Sequence, residues 1–415
     1  MLMTSVRLLW RGLGVPVLAL TWLASAGCWG HTPMGQPGEV YTLLGQQFRV
    51  ETVAYGLRVP WGLAWMPDGR MLITERTGRL MVVQPGERQA HLLTVVQNVH
   101  FGSEQGLLGI ALSPAFATDR LIYLSYTTRD DAGRRINRVV RFCLRDSQLT
   151  AGTILVDNLP ANEHHNGLPL HFGPDGKLYA GTGEAIHQEL SQDMRSLAGK
   201  ILRLNPDGSV PADNPFANSP IWALGIRDCQ GFDWQPATGL MLATDHGPTF
   251  PLDGWGGDDE VNFIQPGHNY GWPLYHGPKT APGYEPSLVH WNYTQAPSGA
   301  AFYNGQAFPG WQGRFFFAGL RGEALWCLTI ARGPAEADAA PACGADAEGM
   351  WQADRPQDDV RVVLVDKVLY RQFGRLRCVA VGPDGYLYLS TSNRDGHGQP
   401  GPADDRVLRL IPVAP

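Results

Sequence analysis

Five stretches of this chain repeat one pattern: an apolar strand, a tight turn built on Pro-Asp-Gly or a near equivalent, then a strand of alternating character. They are WMPDGRMLITERTGRLMVV (65–83), LSPAFATDRLIYLSYT (112–127), FGPDGKLYAGTGE (172–184), WQPATGLMLATDHGP (234–248) and VGPDGYLYLSTSNRDG (381–396). A weaker copy lies at FPGWQGRFFFAGLRG (308–322). Pro presets φ, Gly supplies a positive φ, and Asp hydrogen-bonds the backbone two residues on, so each unit predicts a hairpin. One small sheet cannot bury both its faces, so the copies must pack on one another. Irregular repeats of about 60 residues fit an all-β, six-bladed β-propeller with four-stranded blades. The terminal strand VLRLIPV (407–413) is expected to complete the blade that the N-terminal strand begins. A pair of two-sheet sandwiches would leave the repeat unexplained. No long stretch carries a 3.6-residue period, and QELSQDMRSLAGKI (188–201) is the best helical candidate.

The 415 residues would suit two or three domains, but all-β folds of this size also form one. The 50 Gly and 32 Pro supply the turns, and the 44% apolar content supplies a core. A net charge of −6 gives no reason to expect nucleic acid or an anionic membrane surface as partner. Arg7 and Arg11 precede GLGVPVLALTWLASAGC, a run too short and interrupted to span a bilayer, with Ala24-Ser25-Ala26 as a cleavage site. Residues 1–27 are therefore expected to be a signal peptide, 28–44 a linker and 45–415 the propeller. Cys28 stands where a bacterial lipoprotein carries its lipid, although Ser25 replaces the usual Leu. The mature protein is expected to be exported, either periplasmic or lipid-anchored at the cell envelope.

A propeller gathers loops from every blade at one end of its axis, where chemistry is expected. In HHNGLPLHFGPDGKLYAGTGE (164–184), His164 and His165 open the hairpin and Glu184 closes it, so an imidazole and a carboxylate should be neighbours at one rim. A neutral imidazole is a good base near pH 7, and a carboxylate on its other nitrogen fixes the tautomer and stabilises the imidazolium.

Six stretches, taken in order, closely resemble the soluble quinoprotein sugar dehydrogenases, and in particular their bacterial aldose sugar dehydrogenase branch. They are GLRVPWGLAWMPDGRMLITERTGRL (56–80), GSEQGLLGIALSPAF (102–116), HNGLPLHFGPDGKLYAGTGE (165–184), LGIRDCQGFDWQP with DHGP and DDEVNFIQPGHNYGWP (224–273), APSGAAFYNG (296–305) and GRLRCVAVGPDG (374–385). The resemblance covers about 45–415. It implies a six-bladed propeller that oxidises aldoses with pyrroloquinoline quinone (PQQ) and Ca²⁺. Aligned on the family, His165 is the base and Glu184 its orienting acid. Arg227 polarises the quinone carbonyl that accepts hydride, and Glu104 takes the place of a substrate-side pocket residue. Arg375 and Arg377 match the Arg-x-Arg pair that holds the cofactor's carboxylates, with Arg321 near the family's Lys and Asp228 beside the cofactor. The carbonyls of Gly247 and Pro248 match ligands of the Ca²⁺ on the quinone. Glu260 and Tyr270 match a structural Ca²⁺ site.

The chain departs from the family at three places. Asp228-Cys229 replaces Asn-Pro, and Cys378 replaces the acid after Arg377. The two cysteine changes suggest a Cys229–Cys378 disulfide, with two separate buried thiols as the alternative, Cys327 paired to Cys343 and Cys143 free. The same departures leave open a propeller that has lost its cofactor and binds a glycan or protein. A propeller lactonase is a third reading. The resemblance implies an aldose as the small-molecule substrate, but not which one, nor the electron acceptor.

Overall fold

The Pro-Asp-Gly turns form as their residue types dictate. In three of them the Gly lies at positive φ: Gly69 at 86°, Gly176 at 70° and Gly385 at 77°. The Asp side chain in each accepts from the amide two residues on: Asp68 from Arg70, Asp175 from Lys177 and Asp384 from Tyr386. Each turn joins the first and second strands of a blade, at the end of the axis away from the chemistry described below.

The computed structural model describes residues 38–248, 256–333, 351–353 and 359–413. It is a six-bladed β-propeller. The innermost strands are, in chain order, Pro60–Trp65, Leu107–Leu112, Gly167–Phe172, Cys229–Trp234, Pro297–Phe302 and Leu376–Val381, which define blades 1 to 6. Each packs against the next, and the sixth against the first. Ring closure is as expected. Gln46–Ala54 pairs antiparallel with Val407–Pro412, setting Phe48 opposite Pro412 and Val50 opposite Leu410. Two blades gain a fifth edge strand: Trp351–Ala353 on blade 4 and Tyr41–Leu43 on blade 6. The latter falls inside the segment expected to be linker.

The core is divided among the blade interfaces. Six apolar clusters, one per interface, occupy the described residues. Between blades 5 and 6, for example, Phe48, Trp311, Phe316, Leu389 and Leu408 are fully buried. Adjacent sheets thus bury on each other the faces that neither could bury alone.

The expected helix over 188–201 does not form. Gln188–Ser191 is one 3₁₀ turn, and Lys200 already begins the strand Lys200–Leu204. The Lys200 ammonium is buried and donates to the carbonyls of Leu190 (2.8 Å), Ser191 (3.0 Å) and Ala198 (2.7 Å). A charged side chain thus takes carbonyls that a helix would have paired internally.

The Cys229–Cys378 disulfide is absent, and the alternative of two separate thiols is what forms. Cys229, Cys378, Cys143 and Cys327 are all free thiols. Cys229 Sγ lies against Gly181 of blade 3, whereas the Cys378 thiol meets the backbone of Leu63 in blade 1. The two thiols face different neighbouring blades, although the arginines beside them share one cavity. Cys28 and Cys343 lie outside the described residues.

Candidate active site

One end of the axis holds a cavity of about 620 Å³. Two sets of residues build its wall. One set directly follows the second strand of a blade: Arg76 in blade 1, Glu184 in blade 3, His246 and Pro248 in blade 4, Arg321 in blade 5 and Asp395 in blade 6. The other lies at or just before the innermost strand: Trp61, Glu104, His165, Arg227, Arg375 and Arg377.

His165 is held on every side. Its Nδ1 lies 2.8 Å from Glu184 Oε1, and its Nε2 lies 3.0 Å from Arg227 Nη2. A guanidinium can only donate, so Nε2 is a bare lone pair and Nδ1 carries the hydrogen that goes to Glu184. The backbone is fixed too: His165 N donates to Glu104 Oε2 at 2.7 Å, and its carbonyl accepts from Ala185 N at 2.9 Å. These bonds hold His165 at φ 59°, a left-handed conformation that costs a residue with a side chain roughly 1–2 kcal/mol. Gly183 makes the close approach possible, because a methyl there would stand 2.0 Å from the His165 carbonyl oxygen.

Glu104 also bonds His164 Nδ1 at 3.2 Å. Burial works to raise its pKa, but the His164 hydrogen bond and the nearby His165 outweigh this and bring it to about 2. Asp245 accepts from the amides of Arg227 (3.0 Å) and Asp228 (2.6 Å), and so sets the loop that carries Arg227. The Arg227 guanidinium lies 5.2 Å from the centre of the Trp272 ring.

Arg375 and Arg377 both reach the cavity. Arg375 Nε pairs with Asp395 Oδ2 at 2.8 Å, while Arg377 Nη1 donates to Gln230 Oε1 at 3.0 Å. Burial pushes Arg377 down to about 10, which still leaves it cationic at neutral pH. Arg321 lines the same cavity from an exposed position. Asp228 does not line it. Its carboxyl is fully buried behind the wall, and burial, then Glu104, raise its pKa well above the carboxylate range. Pro248 reaches the wall, whereas Glu260 and Tyr270 do not. Glu260 Oε2 accepts from Asn262 Nδ2 at 3.0 Å, and among the described residues no three His, Cys, Asp or Glu groups form a metal cluster.

The donors fit a polyanion. The buried Nε atoms of Arg76, Arg227 and Arg377 have no hydrogen-bond partner among the described residues, and all three side chains line this one cavity. Arg76, His246 and Asp395 were not singled out from the sequence. The signal was nonetheless in the repeats, because each follows the second strand of its copy, as Glu184 does: LITER, LATDH and LSTSNRD beside AGTGE.

Fold and cavity together define a propeller protein with an arginine-lined axial cavity and an imidazole at its edge. The chain belongs to the glucose/sorbosone dehydrogenase family, whose model matches residues 57–399. Aldose sugar dehydrogenase YliI of Escherichia coli K12 is 33% identical over 370 residues, covering 84% of this chain and 91% of its own. The PQQ-bound aldose sugar dehydrogenase of Streptomyces coelicolor superposes with a TM-score of 0.73 at 35% identity, covering 88% of this chain and 98% of its own. A Thermus thermophilus structure, described provisionally as an oxidoreductase (glucose dehydrogenase), gives 0.74 at 40% identity over 88% and 100% of the two chains. These similarities make the protein an oxidoreductase of the sugar dehydrogenase type.

Proposed function

We propose that the protein is an exported, PQQ-dependent dehydrogenase that oxidises the C1 hydroxyl of aldoses to lactones. One observation carries the reading: the bare Nε2 of His165, backed by Glu184 and 3.0 Å from Arg227, opens on a cavity lined by five arginines. The PQQ-bound relative supports the cofactor. When bound, PQQ would supply the carbonyl that accepts hydride. Arg375, Arg377 and Arg321 would hold its carboxylates.

His165 Nε2 takes the proton of the C1 hydroxyl, and Glu184 stabilises the imidazolium that results. Glu184 is only 1% exposed, so this acid works in a poorly hydrated setting where its charge is felt strongly. Arg227 occupies the lone pair of His165 until another acceptor in the cavity draws its guanidinium away. The base is thus released when the site is loaded. The same guanidinium would stabilise negative charge on the carbonyl that the cofactor supplies. Glu104 lines the cavity and holds the His165 main chain through Oε2 and His164 through Oε1.

Ca²⁺ would be held by the carbonyls of Gly247 and Pro248 and, at a structural site, by Glu260 with Tyr270. Export rests on the N-terminal segment, with Cys28 as the candidate anchor. The test is reconstitution. The apoprotein with PQQ, CaCl₂ and an aldose should reduce an artificial dye and yield the lactone, and chelation should abolish the activity. No dye reduction with any aldose after PQQ has bound would refute the reading.

A further inference from the structure

The inner end of the main-chain ladder in blade 6 is Leu376, which stands opposite Thr391. Arg375 lies one residue beyond it, so its amide and carbonyl must find partners outside the ladder. Residues 392–395, which follow the second strand Leu387–Thr391, supply them. Arg375 N donates to Asn393 Oδ1 at 2.8 Å, and the Arg375 carbonyl accepts from Ser392 N at 2.8 Å. The Arg375 side chain pairs with Asp395 of the same segment.

Asn393 is the centre of this grip. Its carboxamide docks on both sides of Gly374: Oδ1 takes the Arg375 N–H, and Nδ2 donates to the Phe373 carbonyl at 2.9 Å. A main-chain N–H only donates and a carbonyl only accepts, so the amide fits this way round alone. Gly374 turns at φ 67°, and a methyl on it would stand 2.3 Å from Asn393 Oδ1. Asn393 is itself anchored across the ring closure. Its N donates to Asp405 Oδ1 at 2.6 Å, and Asp405 Oδ2 accepts from Val59 N, just before the innermost strand of blade 1, at 2.9 Å. Asn393 is buried and is not among the residues that line the cavity.

We infer that Asn393 is the positioning residue of the cofactor arginines. It fixes the turn from which Arg375 and, two residues on, Arg377 enter the cavity, and so sets their affinity for carboxylates without touching the ligand. Charge-assisted bonds need the guanidiniums held in register with the carboxylates, which a loosened turn would not do. The inference rests on the PQQ reading above.

The test is titration of the apoprotein with PQQ and, separately, with benzene-1,3,5-tricarboxylate, which offers three carboxylates and no quinone. The change in tryptophan fluorescence reports binding, since Trp61 and Trp272 line the cavity. Asn393→Ala should weaken both ligands about tenfold, the worth of one net hydrogen bond, and turnover at saturating PQQ should fall less than the affinity. Gly374→Ala should weaken both ligands too. In the Asn393→Ala background most of that effect should vanish, because no carboxamide is left to meet the methyl. Wild-type affinity for both ligands in Asn393→Ala overturns the inference, and a lower urea midpoint would then show a structural role alone. If Asn393→Ala does not fold, unchanged affinities in Gly374→Ala overturn it. A loss of turnover at saturating PQQ as large as the loss of affinity also overturns it, by placing the effect on the chemistry. A wild type that binds the tricarboxylate but not PQQ removes the functional reading, while a tenfold loss of the tricarboxylate in Asn393→Ala would still uphold its hold on the arginines.

Discussion

Gly183→Ala is the perturbation whose consequence follows most directly from the geometry. A methyl built on Gly183 would stand 2.0 Å from the His165 carbonyl oxygen, 2.5 Å from its carbon and 2.7 Å from Asp228 Oδ1. A comfortable carbon–oxygen approach is about 3.3 Å, so the His165 main chain would have to retreat on the order of 1 Å. The bonds from Ala185 N to the His165 carbonyl and from His165 N to Glu104 would stretch with it. Overpacking of this kind costs about 1–3 kcal/mol. Displacing a catalytic group by about 1 Å costs on the order of 10²-fold in turnover. PQQ affinity should move far less, because Arg375 and Arg377 sit on blade 6. Urea unfolding should show a lower midpoint at an unchanged slope. Dye-linked turnover at saturating PQQ and aldose should show the loss. A variant with wild-type turnover and midpoint would refute the idea that Gly183 sets the position of His165.

His165→Ala should lower turnover about 10²–10⁴-fold with PQQ titration unchanged, and wild-type turnover would remove His165 as the base. Arg375→Ala and Arg377→Ala should each weaken PQQ by about one to two decades with less effect on turnover at saturation, as read from binding curves. Glu104 has a folded-state pKa of about 2, below its ordinary value, so its contribution is present above about pH 4.3 and lost as pH falls towards 2. His164 is raised, chiefly by its hydrogen bond to Glu104, so its contribution is present below about pH 6.5 and lost as pH rises. The stability difference between wild type and Glu104→Gln should therefore peak at mildly acidic pH and shrink on both sides. Urea midpoints that differ by the same amount at every pH would contradict it.

The repeat was legible because each Pro-Asp-Gly turn is local chemistry: its residues dictate a hairpin whatever surrounds them. The His165–Glu184 proximity followed from the same hairpin. What could not be read was which way neighbouring residues face. Cys229 and Cys378 each sit within two residues of a cavity arginine, yet their thiols pack towards blades 3 and 1. Asp228 follows Arg227 directly, but its carboxyl lies behind the wall, so the charge placed beside the cofactor by sequence alignment does not line the cavity. The 188–201 segment carries Leu190, Met194, Leu197 and Ile201 at helical spacing, but the buried ammonium of Lys200 takes the carbonyls of Leu190, Ser191 and Ala198 and settles its path. Nothing local marks Arg76 or His246 either, because only the ring of blades brings the ends of LITER and LATDH to one cavity.

The central claim is that His165 removes the hydroxyl proton as hydride leaves C1 of an aldose. Single-turnover reduction of the PQQ-loaded protein, followed by the cofactor's absorbance, tests it with glucose and glucose deuterated at C1. The account predicts reduction by both sugars, slower with deuterium, and none on the same timescale in His165→Ala that still holds PQQ. Reduction of the His165→Ala cofactor at the wild-type rate, or no reduction of loaded wild type by any aldose, would contradict it.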